Sequence, residues 1–176
     1  MNIKNENLYK DVSLIIISHK SKKNVLNFLE KISKKFKIVV IENSEDRTIK
    51  DELLKKRPEI DIHFIENKGF GSAINYGRSC INTKYFFSFN PDVLGMTDEI
   101  IYNFYCTAKN LNDYFSCIGP RFQDEKNIKQ SDIRKEIAKI SISGAAMFFN
   151  TQRFDEIKGF DENFFLFFEE NDYCKR

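Results

Sequence analysis

The chain has 176 residues, 41% hydrophobic and 31% charged, with a net charge of +2, a composition ordinary for one soluble globular domain with a sizeable core. So small an excess of positive charge is no argument for nucleic acid, and none is expected as a partner. No apolar run approaches the ~20 residues of a membrane span, and the polar opening MNIKNENLYKD lacks a signal-peptide core, so the expected location is cytoplasmic.

In chain order, VSLIIIS (12–18) is a continuous β-branched run, the mark of a strand buried on both faces. Residues 22–35 place Val25, Leu26, Leu29 and Ile32 at helical spacing. KIVVIE (37–42) is a second strand, followed by a loop and a short helix that ends near Pro58. A third strand is expected over 61–67, a helix over 70–82, a fourth strand in KYFFSF (84–89) and a helix over 97–109. Strands separated by such helices form βαβ units and a parallel sheet. After 114, YFSCIGPRF and KISISGAAMFFN read as strands either side of a charged, exposed segment (123–136). A short helix (151–157), a Gly-Phe-Asp turn (159–161) and a final helical stretch follow. The fold class is α/β, mainly parallel, with a mixed strand region at the end.

Cys80, Cys106, Cys117 and Cys174 form no CxxC pair and read as small buried hydrophobes in a reducing compartment. His19 and His63 complete no zinc-ligand spacing, and His63, in the alternating run IDIHFIE, is a strand-surface residue. Lys20, Lys22, Lys23, Lys31, Lys34, Lys35 and Lys37 make the first helix and its flanks basic. Two readings stay open there: a solvated face, or peripheral contact with an anionic membrane surface.

Strand one ends in Ser18-His19-Lys20, strand two in Glu42-Asn43-Ser44, strand three in Asn67-Lys68-Gly69 and strand four in Asn90-Pro91-Asp92. A parallel sheet brings all four polar clusters to one edge, where crevices form. Pro91 cannot donate to a ladder, so strand four stops there and leaves Asp92 at its tip. In NKGFGSAINYG (67–77), two glycines before a helix are either a tight turn or a close backbone approach to phosphate. Ile74 occupies the third glycine position, so the run is no dinucleotide fingerprint, and no P-loop is present. In FFEENDYCKR (167–176), Glu169 and Glu170 point ~100° apart on a helix, whereas Glu169 and Asp172 share a face. That run is either a solvated charged helix or the carrier of a base, whose pKa the adjoining ENFFLFF would raise by burial.

Taken together, VSLIIISHKS, IVVIENSEDRT, NKGFGSAINYG, FFSFNPDV and SGAAMFF…FDEIKGFDENFFLFFEENDYCKR resemble glycosyltransferase family 2, from Val12 to Arg176. The likeness is to its rhamnosyltransferase-like branch, which carries Asn-Pro-Asp where relatives carry Asp-x-Asp. The resemblance implies a GT-A nucleotide-sugar fold in a single domain, 1–176, with a nucleotide-sugar-binding half (1–113) and an acceptor-side half (114–176). It implies inverting transfer from a nucleotide-diphosphate sugar, dTDP-rhamnose by branch, to a glycan or lipid-linked acceptor at the inner face of the membrane. By position in the motifs, Ser18, His19, Glu42, Asn67, Gly69, Gly71 and Asn90 would bind the nucleotide. Asp92 would hold Mg²⁺ or Mn²⁺ against the diphosphate. Glu170 would be the catalytic base, with Glu169 as second choice, and Gly144, Asp161 and Asp172 would lie on the acceptor side. Glu42 and Glu170 stand where the family has aspartates, and Asn150 and Thr151 where relatives often carry arginines. Family members continue beyond this last motif, so a chain ending at Arg176 is expected to be a fragment or a reduced version. The competing expectations are a non-catalytic nucleotide-sugar-binding domain and a nucleotidyltransferase. The latter would want a glycine-rich loop where SHKSKKN stands.

Overall fold

The computed structural model describes residues 6–120 and 141–176. Its elements run α1 (Glu6–Asp11), β1 (Val12–Ser18), α2 (Lys22–Leu29), β2 (Lys37–Glu42), α3 (Ile49–Lys56), β3 (Asp61–Phe64) and α4 (Phe70–Ser79). There follow β4 (Tyr85–Phe89), α5 (Asp98–Asn110), β5 (Cys117–Ile118), β6 (Ala146–Asn150), α6 (Thr151–Glu156) and α7 (Glu169–Lys175).

The strands form one sheet in the order β3-β2-β1-β4-β6-β5. Neighbours among β1 to β4 pair in parallel, and β6 runs antiparallel to both β4 and β5. From β1 the chain steps outward to β3, then crosses back to lay β4 on the other flank of β1. Strand order therefore reverses between β1 and β4, where an open α/β sheet leaves a crevice beyond its carboxyl ends.

Alternation along each strand splits the core into two layers. Leu14, Ile16, Val40, Phe87 and Phe148 face α1, α2, α3 and α5, whereas Ile15, Ile17, Val39, Phe86 and Phe149 face α4, α6 and α7. β1, β4 and β6 are buried along their whole length, which is why they read as unbroken apolar runs. Phe86, Phe149, Phe154 and Phe160 are the packing material of the second layer. Phe149 stacks on Phe86 at 4.6 Å and meets Phe154, Phe160 and Tyr173 edge-on at 5.2, 5.9 and 5.4 Å.

Several boundaries differ from the sequence expectation. The helix expected over 22–35 stops at Leu29. The buried Arg57 guanidinium donates to the carbonyls of Leu29, Ile32 and Ser33, and Asp98 Oδ1 accepts from the Ser33 N–H. These contacts satisfy a turn in place of another helical turn. The third strand is only Asp61–Phe64. Among the described residues of YFSCIGPRF only Cys117 and Ile118 form a strand, since Gly119 and Pro120 follow at once and Pro120 has no N–H for a ladder. Of KISISGAAMFFN only Ala146–Asn150 form β6, after a turn at Gly144. Asn150 then caps α6, its Oδ1 accepting from the Arg153 N–H. Leu8, fully buried, anchors α1, an element that the polar N-terminus did not announce. The charged stretch 123–136 lies outside the described residues.

Candidate active site

The four parallel strands deliver their ends to a cleft of about 470 Å³ at the β1–β4 reversal. His19 enters it from the end of β1, Asn43 from β2, Asn67 and Gly69 from β3, and Asn90, Pro91 and Asp92 from β4. Phe70, Phe165 and Leu166 add an apolar side.

A hydrogen-bond chain ties three of these ends together. The Gly69 N–H, whose role as donor is fixed, donates to Asn67 Oδ1 (3.2 Å). Asn43 Nδ2 donates to the same oxygen (3.2 Å), which leaves Asn43 Oδ1 to accept from His19 Nδ1 (3.0 Å). The backbone thus sets every amide orientation and the imidazole tautomer. In neutral His19 the proton is on Nδ1, and Nε2 is an acceptor.

Ser18 and Glu42 sit beneath this layer. Both are buried; Ser18 Oγ donates to one Glu42 oxygen at 2.6 Å and the Ser44 N–H to the other at 2.9 Å. The Glu42 carboxylate thereby braces β1 against β2 at their carboxyl ends, and neither residue lines the cleft.

Gly69 (φ +106°) is in the left-handed half of backbone space, and a Cβ there would run into the carbonyl oxygen of Phe165. That carbonyl instead accepts from the Phe70 N–H at 3.1 Å. The Gly69 and Phe70 amides are both used within the chain, the first on Asn67 and the second pinning the segment before α7 against the start of α4. Replacing Gly69 by alanine should cost about 1–3 kcal/mol in urea unfolding. Gly71 makes a second close approach, with Phe160 and Glu169 packed against it.

The acidic pair divides as helical geometry requires. Glu169 is only 4% exposed, lies against Gly71, and its Oε2 has no hydrogen-bond partner among the described residues. Burial pushes this carboxyl above the ordinary 4.5, and the charge of Glu170 adds to the effect. Glu170 is half-buried on another side of α7, where its carboxyl and the Phe70 ring flank Gly144. Gly144 therefore lies between Glu170 and Phe70, a lining residue of the cleft.

A raised acid pKa means that native Glu169 holds its proton where the unfolded chain has released it. Stability is then largest below the ordinary glutamate value and falls as pH rises through the window up to the raised one. Glu169→Gln is expected to stabilise the fold by about 1 kcal/mol above that window and by nothing at about pH 4, read as thermal midpoints.

The remaining expected residues have local partners. Asp172 pairs with Arg176 at 2.7 Å, and Arg176 also donates to the carbonyls of Ile157 and Gly159. Asn75 clamps Phe160 from the other side, its amide donating to that residue's carbonyl and accepting from its N–H, both at 2.9 Å. Asp161 accepts from the N–H and side chain of Asn163 in a turn. These contacts orient α7 relative to α4.

Sequence reading missed the apolar side. The aromatic run before the acidic pair suggests a buried segment, yet Phe165, Leu166, Phe167 and Phe168 are 52–68% exposed. Phe167 and Phe168 have φ of 68° and 70°, a reversal that turns Glu169 inward and leaves the rings outside. The run of four large apolar residues was the available signal; its direction depends on that reversal. Asn43 was visible only as one polar residue among three.

The architecture is the GT-A fold of glycosyltransferases, α/β with a mainly parallel sheet and an antiparallel strand beyond β4. The solved structure of GalNAc-T7 with UDP, GalNAc and Mn²⁺ superposes with a TM-score of 0.73 at 11% identity, over 97% of this chain and 40% of that one. The mannosyltransferase PcManGT from Pyrobaculum calidifontis, solved with GDP-Man and Mn²⁺, superposes with a TM-score of 0.66 at 13% identity, over 87% of this chain and 48% of that one. In sequence, the chain is 25% identical over 199 aligned positions to the low-salt glycan biosynthesis hexosyltransferase Agl10 of Haloferax volcanii. That match takes in 97% of this chain, which spans 62% of the relative's length. No family model matches. No described helix is long and apolar enough to cross a membrane.

Proposed function

We propose that this chain is the catalytic domain of a glycosyltransferase that takes a nucleotide-diphosphate sugar in the cleft between β1 and β4. The observation that carries this reading is the convergence of His19, Asn43, Asn67, Asn90 and Asp92, from four strand ends, on one crevice at the strand-order reversal. The similarity to a hexosyltransferase over nearly the whole chain, and the nucleotide sugars and Mn²⁺ bound by structural neighbours, support it.

His19, Asn43 and Asn67 are the polar set for the nucleoside and sugar hydroxyls, and Ser18 and Glu42 hold that set in place from below. The donor set at β4 fits Mg²⁺ or Mn²⁺: Asp92 brings one carboxylate and Asn90 one amide oxygen into the same cleft. Among the described residues no cluster of three or more His, Cys, Asp or Glu forms a closed metal cage. A hard cation held by one carboxylate keeps positions for phosphate oxygens and water. When bound, it neutralises the charge that develops on the departing diphosphate. Phe70, Phe165 and Leu166 exclude water from one side of the cleft. Glu170 takes the proton of the acceptor hydroxyl at its carboxylate, which direct displacement with inversion requires.

The donor is dTDP-rhamnose by the family branch that the sequence resembles, the acceptor is a glycan or a lipid-linked glycan, and the reaction takes place at the cytoplasmic membrane surface. Incubation with dTDP-rhamnose, GDP-mannose, UDP-galactose or UDP-N-acetylglucosamine, with Mn²⁺ and a lipid-linked acceptor, tests this. Release of nucleotide that depends on acceptor and metal is expected with one donor. Acceptor-dependent release that ignores metal would overturn the role of the cation, and no release with any donor while nucleotides bind would overturn transfer and leave a binding domain.

A further inference from the structure

We propose that Cys117 and Cys174 are a reversible oxidation site whose disulfide fastens α7 to β5. The two residues are 57 apart in sequence, yet their Sγ atoms lie 3.9 Å from each other. The preceding residues meet as well, Ser116 Oγ and the Tyr173 hydroxyl at 2.6 Å. Two consecutive contacts hold β5 and α7 in fixed register, so the approach of the sulfurs belongs to the packing and not to one rotamer. Both cysteines are free and only partly buried, within reach of a small oxidant, which corrects their reading as isolated buried hydrophobes.

The pair is chemically asymmetric. The contact with Cys117 pulls the Cys174 pKa down, while the same contact and, after it, partial burial push Cys117 up. Cys174 is thus the nucleophile and Cys117 the resolving thiol. With a hydroperoxide as oxidant, the Cys174 thiolate attacks one peroxide oxygen. An S–O bond forms, the O–O bond breaks, and hydroxide leaves and is protonated to water. The Cys117 sulfur then attacks the sulfenic sulfur of Cys174. The S–S bond forms, the S–O bond breaks, and hydroxide departs with the Cys117 proton as water. Two thiols and one hydrogen peroxide give a disulfide and two waters.

Cys174 follows Glu170 by four residues, on the same face of α7. Closing the sulfurs from 3.9 Å to the ~2.05 Å of a disulfide draws on the face that presents Glu170. A displacement of ~1 Å at a catalytic group lowers a rate by as much as ~10²-fold. This consequence rests on the proposed function; the disulfide does not.

The full chain is treated with hydrogen peroxide, alkylated, and mapped by mass spectrometry without reduction. The expected result is a loss of about 2 Da, reversed by dithiothreitol, with a Cys117–Cys174 cross-linked peptide. Cys117→Ser should lose that product and leave a sulfenic acid on Cys174 that dimedone traps. Cross-links to Cys80 or Cys106 at comparable yield, or oxygen adducts with no cross-link in the unsubstituted chain, would overturn the site. Hydrogen exchange of α7 is measured on the same samples and should slow at least threefold in the disulfide form; unchanged exchange would overturn the fastening of α7. If the cross-link forms and neither redox state transfers sugar, the functional reading fails and the site stands.

Discussion

Replacing Glu170 by glutamine is expected to lower sugar transfer by about 10²–10⁴-fold, the range for losing a general base, with nucleotide affinity within about twofold. The split follows from position. Glu170 is absent from the cleft lining and lies across Gly144 from the lining residue Phe70, whereas the strand-end residues line the cleft directly. A proton acceptor at that place serves the incoming hydroxyl and not the nucleotide. The side chain loses its basicity in the glutamine variant but keeps its size, so packing beside Gly144 is retained. Glu169→Gln supplies the contrast. Glu169 faces Gly71 in the interior, so its loss should be read mainly in stability, with transfer reduced far less. Single-turnover rates and nucleotide titration on both variants separate the two carboxylates. A larger loss of transfer in Glu169→Gln would reverse the assignment.

Asp92→Asn should weaken nucleotide binding in Mn²⁺ by at least about tenfold and leave metal-free binding unchanged. Asp92 is the one carboxylate among the cleft-lining residues, at the tip of β4 beyond Pro91. Its neighbour Asn90 is anchored by the backbone, its N–H donating to the Ala145 carbonyl at 2.9 Å, so the turn that presents Asp92 is fixed by pairing to the strand beside it. Loss of one hard anionic ligand removes the charge that holds a divalent cation, while Asn keeps the shape of the turn. Fluorescence or calorimetric titration with and without Mn²⁺ reads this directly. Equal loss of binding in Asp92→Asn and Glu170→Gln would contradict the division of roles between cation and base.

The parallel half of the fold was legible because fully buried strands write themselves as apolar runs; β1, β2 and β4 match within a residue. The edge of the cleft was legible for the same reason, since parallel strands carry their polar ends to one side. What sequence hid was tertiary. Arg57 ends α2 from 28 residues away by taking the Leu29 carbonyl, and no periodicity within 22–35 contains that information. Phe165–Phe168 read as core but face outward, because two left-handed residues turn the chain just before Glu169. Ser18 and Glu42, which the resemblance assigns to the nucleotide, lie one layer below the cleft lining and are bonded to each other. Cysteine spacing and apolar neighbours are silent about β5 passing α7. Local pattern places the elements; the contacts that orient α7 and complete the cleft come from pairs of residues distant in sequence.

As proposed, the cleft between β1 and β4 is a metal-assisted nucleotide-diphosphate site. Calorimetric titration of the full chain with UDP and with dTDP, each with and without Mn²⁺, tests it most directly. The expected result is one-to-one binding of a diphosphate nucleotide that strengthens at least about tenfold with Mn²⁺ and is lost with the corresponding nucleoside, which has no phosphates for the cation to bridge. Binding of neither nucleotide, or binding indifferent to metal and to the diphosphate, would contradict it.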